Sequence, residues 1–471
     1  PTGYLHVGGL RTALYNYLFA RKHHGSFILR IEDTDRNRYV ENAVENLIET
    51  LHWAGLDYDE GPARGGDAGP YVQSERIPIY HEHVEKLLAS GQAYYAFDTP
   101  EELEEMRKTQ EKLRLTPKYD RRALKLSPDE VRKKLDSGVP AVVRMRVPDS
   151  ATIAFDDLIR GRVEFSSDQV DDQVLLKSDG YPTYHLANVV DDHLMGISHV
   201  IRGEEWLSST PKHVLLYRYF GWEMPAFAHL PLLLNPDKSK LSKRQGDVAV
   251  EDYRKKGYLP EALVNFVAFL GWNPGDEREL FSKDELIQEF SLERVGKSGA
   301  VFNIEKLNWL NAQHLRLKPT GEILAMLRPH LKGIVEGDGD LPDEYLLRVV
   351  EAMRERVTFI SDYVEQAPYF FRPPVSYDPD SVSKRWKPES PVQLRALMKE
   401  FETLENPAAA DFESALLRTA ELSQIKKSDL IHPLRLAVSG MGVGPGLYDI
   451  LSILGKDETI RRMAAAIERV H

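Results

Sequence analysis

Two stretches of the sequence combine residue types suited to handling a polyphosphate. The first is Pro1-Thr2-Gly3-Tyr4-Leu5-His6-Val7-Gly8-Gly9, directly before an apolar helical pattern. Glycine lets a backbone approach a ligand closely, and a helix N-terminus favours phosphate. A histidine there can donate to phosphate oxygens as charge develops during nucleotidyl transfer. The second is Lys240-Leu241-Ser242-Lys243-Arg244, three cations around a serine in a loop. Lysine is a compact charge that can follow a moving pyrophosphate. Singly, each also reads as ordinary structure: a Gly-rich helix start and a solvated charge run.

The elements that must position these residues follow from periodicity. After Gly8-Gly9, the residues Leu10, Ala13, Leu14, Tyr17 and Leu18 recur at helical spacing, and Arg21 to Gly25 close the helix. Ser26–Ile31 reads as a strand. A second helix spans roughly Val40–Leu51, with Ala43, Val44, Leu47 and Leu51 on one face. A third follows Ser74, a plausible N-cap, and runs to Gly91. The order turn, helix, strand in a doubly wound fold needs a strand before the turn, so the natural protein is expected to continue upstream of Pro1. From about Ala93 to Asp179 the chain is charged, carries short strands such as Ala141–Val147, and reads as an insertion. Beyond Phe281 helices dominate. Their apolar stripes are Tyr345, Leu346, Val349, Val350, Met353 and Val357; then Leu394, Leu397, Met398, Phe401 and Leu404; then Leu447, Ile450, Leu451 and Leu454, ended by Gly455. These are core and carry no chemistry. Pro373-Pro374 and Pro388–Pro391 read as linkers.

The 471 residues suggest two to four domains. No apolar run approaches the ~20 residues that span a bilayer, and no leader pattern opens the chain. The absence of cysteine excludes disulfides and thiolate metal sites, which fits a cytoplasmic protein. The net charge of -12 argues against nucleic-acid binding by bulk electrostatics. Positive charge is nonetheless gathered between Arg107 and Arg146, where thirteen Lys and Arg residues lie near Glu101, Glu102, Glu104 and Glu105. A solvated helix face and a nucleic-acid contact both remain open for it.

Taken together, the His-x-Gly-Gly before a first helix and the later Lys-Leu-Ser-Lys-Arg resemble the two ATP motifs of class I aminoacyl-tRNA synthetases. The surrounding residues narrow the resemblance. Arg30-Ile31-Glu32-Asp33-Thr34-Asp35-Arg36, Gln73-Ser74-Glu75-Arg76, the run from Ser178 to His193, Val200–Trp206 and Asn235–Lys238 look like the glutamyl-tRNA synthetase family in its own order. The match is dense to about residue 320 and looser after. Gly9 stands where the class pattern ends in histidine, so His6 would carry more of the phosphate contact. The family's upstream strand, with an arginine and a serine that contact glutamate, does not precede Pro1. The zinc held by cysteines in some relatives is ruled out here, and no protein-bound zinc or other metal is expected.

The resemblance implies an α/β fold: a Rossmann-like doubly wound parallel-sheet catalytic domain with an α+β insertion, then an all-α anticodon-binding region. Residues 1–75 and 181–230 would form the catalytic domain and 76–180 the inserted acceptor-binding domain. Residues 231–315 would form a stem-contact region carrying the Lys-Leu-Ser-Lys-Arg loop, and 316–471 a helical anticodon region split near 375–390. It further implies ATP-dependent ligation of glutamate to its tRNA through a glutamyl adenylate. The partners would be tRNA(Glu), L-glutamate and ATP with Mg²⁺, with no membrane, the enzyme acting as a cytoplasmic monomer. Arg202 would grip the glutamate side-chain carboxylate as a bidentate partner. Tyr184 and Asn188, one helical turn apart, would complete the polar contacts, and Glu32 would receive the α-ammonium. ATP would lie over Gly8 and Gly9, with Glu205 and Leu233 near ribose or adenine and Lys240, Leu241, Ser242, Lys243 and Arg244 at the phosphates. The catalytic set is His6, Lys240 and Lys243. Arg354 and Arg356 would read the anticodon. Structural readings compete: Arg202 could pair with Glu204 or Glu205, and Tyr184 could be core. Glutaminyl-tRNA synthetase, a glutamyl-queuosine-forming relative and a non-catalytic tRNA-binding paralogue are the rival readings. The helical stripes after residue 340 disfavour the first, the second would lack the C-terminal domains, and intact ATP motifs disfavour the third.

Overall fold

The computed structural model describes residues 3–35, 40, 42–241, 249–334 and 341–470. They form two compact units, Pro1–Lys256 with Leu263–Ile304 and Gly257–Ala262 with Glu305–His471. The helical region therefore opens at Glu305, slightly upstream of the expected boundary at 316. The expected insertion lies inside the first unit and the expected split near 375–390 inside the second.

Helix α1 (Val7–Lys22) follows the sequence pattern, with Leu10, Leu14, Tyr17 and Leu18 buried. His6 is its N-cap, and Arg21 and Lys22 in the last turn complement the helix dipole. Ser26–Ile31, expected as a strand, makes only two isolated parallel bridges, Ile28 to Glu60 and Ile31 to Val72. Its two partners are separated by an intervening loop, so no continuous ladder can form on that side. Helix α2 (Ala43–Trp53) begins three residues later than expected, and Val40 is exposed. Ser74 does not cap α3 (Ile77–Ala89). Its amide and hydroxyl donate to Asp33 at 2.8 and 2.6 Å, and a 3-10 turn over Gln73–Arg76 precedes the helix instead.

The charged segment continues as β1 (Ala93–Ala96), α4 (Pro100–Lys112), α5 (Pro128–Asp136), β2 (Val142–Met145), β3 (Thr152–Asp157), β4 (Gly161–Ser166) and β5 (Val174–Leu176). Both helices open with reciprocal capping boxes, Thr99 with Glu102 and Ser127 with Glu130, which satisfy end-of-helix N–H groups. Next come α6 (Tyr184–Leu194), β6 (His199–Gly203), α7 (Thr210–Phe220), β7 (Ala226–Leu230), β8 (Leu233–Leu234) and β9 (Ala300–Val301). Strands β1, β2 and β5 form one antiparallel sheet. The central sheet has the order β4-β3-β7-β6, with β3, β7 and β6 mutually parallel. Strand β7 is buried along nearly its whole length, as expected of a parallel strand covered on both faces. Leu186, Val189 and Val190 of α6 share a core with Tyr80 and Val84 of α3, Val214 to Leu216 of α7, Phe155 and Phe227. At roughly 1.5–3 kcal/mol per fully buried side chain, this packing fixes α6 beside the sheet.

In the basic cluster, Arg121 pairs with Asp149 and Asp172, Arg122 with Asp120, and buried Arg144 lies 3.9 Å over the Tyr119 ring. Arg107, Lys108, Lys112, Arg132 and Lys133 are exposed. The second unit is helical, and Leu346, Val350, Leu394, Phe401, Ile450 and Leu451 fall in one core. Pro388–Pro391, read as a linker, opens the helix Ser390–Glu402 instead. Ser390 is buried and accepts from the Lys387 amide, and proline is tolerated in a first turn. No helix among the described residues is long and apolar enough to cross a membrane.

Candidate active site

A cavity of about 1720 Å³ opens in the first unit between α1, α6 and β6. His6, Gly8, Gly9 and Glu32 line it, as do Tyr184, Asn188 and Arg202, and Glu205, Leu233, Lys240 and Leu241. These residues span most of the unit's length, and folding brings them onto one surface. Ser242, Lys243 and Arg244 lie outside the described residues.

Arg202 sits in β6, 7% exposed. Its Nε donates to His229 Nε2 at 3.2 Å and its Nη1 to the Tyr184 hydroxyl at 3.1 Å. Its Nη2 donates to Thr210 Oγ1 at 3.0 Å and His213 Nδ1 at 3.2 Å. Among the described residues no carboxylate pairs with it. A guanidinium has five N–H groups, so one remains, on Nη1. The fork is therefore not open for the two-point grip expected from the sequence, because its other donors are already bonded. Tyr184 opens α6, and its hydroxyl also accepts from Asn188 Nδ2 at 3.3 Å. Burial pushes the Tyr184 phenol up to about 12, so it keeps its proton. Asn188 Oδ1 is buried with no hydrogen-bond partner. Burial, with the charge of Arg202 adding to it, holds His213 well toward its neutral form; burial also lowers His229, against the hydrogen bond to Asp157, which opposes the shift.

Glu32 and Asp192 bring carboxyl groups to the cavity lining. Arg30 bonds Asp192 at 2.9 Å and Glu32 at 3.1 Å. Asp191, fully buried, accepts from Gln73 at 3.0 Å, Arg76 at 2.8 Å and Tyr80 at 2.8 Å. Desolvation raises the carboxyls of Glu32 and Asp192, with Arg30 opposing the shift in both. The Glu32 side chain remains 37% exposed on the cavity surface. It lines the cavity, where a cationic ligand group can reach it and would favour its charged form.

At the mouth, His6 Nδ1 accepts from the Gly9 amide at 3.1 Å, which places the proton of a neutral ring on Nε2. A Cβ on Gly8 would stand 3.0 Å from the His6 ring, and one on Gly9 would stand 2.7 Å from Leu5. The glycines are there because the histidine and leucine fold back over the helix start. Lys240 returns antiparallel to Leu234, and Leu241 N bonds Leu233 O at 2.9 Å, forming a short hairpin from the end of β8. His6 in turn bridges Ala249, so the chain on the far side of the Lys-Leu-Ser-Lys-Arg motif lies against the first motif. Gly203 leaves room for Glu205: an added Cβ would fall 2.1 Å from its carboxylate.

In the second unit, all five N–H groups of Arg354 are engaged. They reach the Arg316 and Lys318 carbonyls, Thr320 and Glu351, closing the end of the helix Ile304–Leu317. Arg356 is exposed.

Sequence reading missed Asp157, His229, His213 and Thr210 behind Arg202, and the hub role of Asp191. The signal for His229 was present: a histidine inside the apolar strand AFAHL. Nothing in the sequence said that β6 and β7 pair with Arg202 opposite His229.

Comparison with known proteins identifies the family. Residues 1–309 match the family described as tRNA synthetases class I (E and Q), catalytic domain, and residues 322–467 match an anticodon binding domain. The chain is 55% identical to the glutamate–tRNA ligase of Chloroherpeton thalassium, over all of this chain and 96% of that protein. It is 54% identical to the glutamate–tRNA ligase of Chlorobaculum parvum over the same shares. A crystal structure of a glutamate tRNA ligase from Elizabethkingia meningosepticum in complex with its amino acid superposes with a TM-score of 0.94. It is 42% identical, over all of this chain and 98% of the other. The chain belongs to the glutamate–tRNA ligase family, within the class I tRNA synthetases.

Proposed function

We infer that the chain ligates L-glutamate to tRNA(Glu) in two ATP-dependent steps at this cavity. The observation that carries the reading is Arg202: a buried cation at the cavity wall, with no carboxylate partner among the described residues and one N–H still to give. The glutamate side-chain carboxylate accepts from that Nη1–H and from the Tyr184 hydroxyl. The α-ammonium lies against Glu32 and the unpartnered Asn188 Oδ1. A glutamate α-carboxylate oxygen attacks the α-phosphorus of ATP, and the bond to pyrophosphate breaks. His6 Nε2 and Lys240 stabilise charge on the phosphate oxygens, work of the kind preorganised donors do. Lys243, Ser242 and Arg244 are assigned to the phosphates by sequence resemblance. Gly8 and Gly9 allow ATP onto the helix start, and Glu205 and Leu233 flank its ribose or adenine. Mg²⁺ arrives with ATP, as the phosphate chemistry favours. The terminal hydroxyl of the tRNA then attacks the adenylate carbonyl, and AMP leaves.

The exposed lysines and arginines of α4 and α5 suit the acceptor end of the tRNA, over the proposed inserted domain 76–180. In the proposed anticodon region, Arg356 is the better placed reader, since Arg354 is fully engaged. The test is aminoacylation by the full gene product, with glutamate and glutamine tRNAs and each labelled amino acid. Glutamate on tRNA(Glu) is expected. Glutamine transfer overturns the substrate assignment, and tRNA binding without any transfer overturns catalysis.

A further inference from the structure

Four residues that contact or orient Arg202 lie behind the cavity wall rather than on it. Asp157 Oδ2 accepts from His229 Nδ1 at 2.6 Å, and both side chains are fully buried. The other oxygen of Asp157 accepts from the amides of Ile159 at 3.0 Å and Arg160 at 2.8 Å. Asp157 is thus an acceptor on every side. That puts the His229 proton on Nδ1 and leaves a lone pair at Nε2, where Arg202 Nε donates at 3.2 Å; Thr210 Oγ1 also lies 3.1 Å from Nε2, and its own proton can go to the Trp206 carbonyl at 3.2 Å. On the other flank, Arg202 Nη2 donates to His213 Nδ1, so the His213 proton sits on Nε2 and donates to His185 Nδ1 at 3.0 Å. One set of tautomers satisfies all of these contacts. Flipping either histidine beside Arg202 would set an N–H against the N–H of a cation.

We propose that Asp157, His229 and His213 are positioning residues that fix the orientation of Arg202 and thereby set the preference for a side-chain carboxylate over an amide. The proposal rests on Arg202 being the partner of that carboxylate. With the guanidinium held this way, the ligand meets two donors, the remaining Nη1–H and the Tyr184 O–H. The Tyr184 oxygen already accepts from Arg202 and Asn188. A carboxylate can accept from both donors. With the Asn188 Oδ1 taken by the α-ammonium, a carboxamide presents an N–H that neither the Arg202 Nη1–H nor the Tyr184 hydroxyl can accept, and a buried unpaired donor is strongly disfavoured. If Arg202 could turn, Tyr184 would regain acceptor capacity and the distinction would blur. Asp157 acts through the ring it holds: a neutral amide in its place can release the opposite tautomer, as in hydrolytic triads whose aspartate is replaced.

The test compares His229→Leu, His229→Gln, Asp157→Asn and Arg202→Leu by pyrophosphate exchange in the presence of tRNA. The readouts are KM for glutamate, KM for ATP and the glutamate-to-glutamine ratio of kcat/KM. His229→Leu and Asp157→Asn are expected to raise the glutamate KM and lower the ratio, each roughly 10- to 100-fold, with the ATP KM unchanged. His229→Gln, which can present a carbonyl oxygen to Arg202 Nε, should recover most of the loss. A merely structural role would move both KM values together and give no rescue, and that result overturns the proposal. Nitrogen-15 spectra of the labelled wild type give a second measure free of folding effects. Nδ1–H at His229 and Nε2–H at His213 are expected, and the opposite tautomer at either overturns it. If Arg202→Leu alone changes selectivity, only the positioning role fails. If Arg202→Leu leaves the glutamate KM unchanged, the reading beneath it fails.

Discussion

Arg202 and Glu204 are two residues apart and do not pair. Glu204 reaches Arg160 at 2.5 Å and accepts from the Leu232 amide at 3.0 Å. The nearest carboxylate in sequence is therefore engaged elsewhere, and Arg202 faces the cavity through neutral partners. A buried cation without a carboxylate is costly on its own. An anionic ligand group that arrives beside it offsets that cost, which a neutral isostere cannot do.

Gly203→Ala should act on Glu205. The new Cβ would stand 2.1 Å from its carboxylate, the far end of a flexible side chain. The carboxylate moves and the fold stays. Losing one hydrogen bond of ~1 kcal/mol predicts a roughly fivefold higher KM for ATP, with the glutamate KM unchanged. Steady-state exchange kinetics check this. An equal rise in both would place Glu205 away from the nucleotide.

Lys240→Ala should slow adenylate formation by about 10²–10³, the scale for removing one preorganised donor. Lys240 is exposed at the cavity mouth. Its removal should leave tRNA affinity nearly intact, as read by filter binding. A tRNA affinity that falls with the rate would reassign Lys240 to the nucleic acid.

Asp191→Ala tests the hub beneath Arg30. It removes the acceptor shared by Gln73, Arg76 and Tyr80. Breaking one side of a buried ion pair costs about 3–5 kcal/mol, and urea denaturation should show a loss of that order. A change below about 1 kcal/mol would mean that Arg30 and Arg76 find other partners.

The buried histidines predict an acid-side loss of stability. Burial lowers His185 to about 4, with Lys212 and Arg202 adding to the shift. Below its unfolded value of about 6.5, the unfolded chain binds a proton that the folded chain refuses. Stability is therefore full above pH ~6.5 and declines toward pH ~4, by at most about 1.4 kcal/mol per pH unit from this one group. Denaturation at stepped pH should show a shallower slope in this window for His185→Gln. An unchanged slope would assign the loss to other groups.

Much of this was legible in the sequence because it depends on local periodicity and motif order. Leu10, Leu14 and Leu18 announced α1, and Tyr184 and Asn188, one turn apart, announced the helix α6 that lines the cavity. Failures came where a distant partner decided the outcome. Ser74 looked like a cap until Asp33 took its hydroxyl. Ser26–Ile31 looked like a strand, but its partners are split between Glu60 and Val72. Arg202 looked like a two-point grip because His229, His213 and Thr210 are remote in sequence and meet it only through sheet pairing and the packing of α7.

The measurement that bears most directly on the account is the ratio of kcat/KM for glutamate over glutamine, in wild type and in Arg202→Leu. The wild type should favour glutamate by ~10⁴ or more, as sites built on a polar partner do. The substitution should lower glutamate kcat/KM by roughly 10² or more and collapse the ratio, with the ATP KM little changed. A variant that keeps both its glutamate efficiency and its selectivity would contradict the assignment of Arg202 to the side-chain carboxylate.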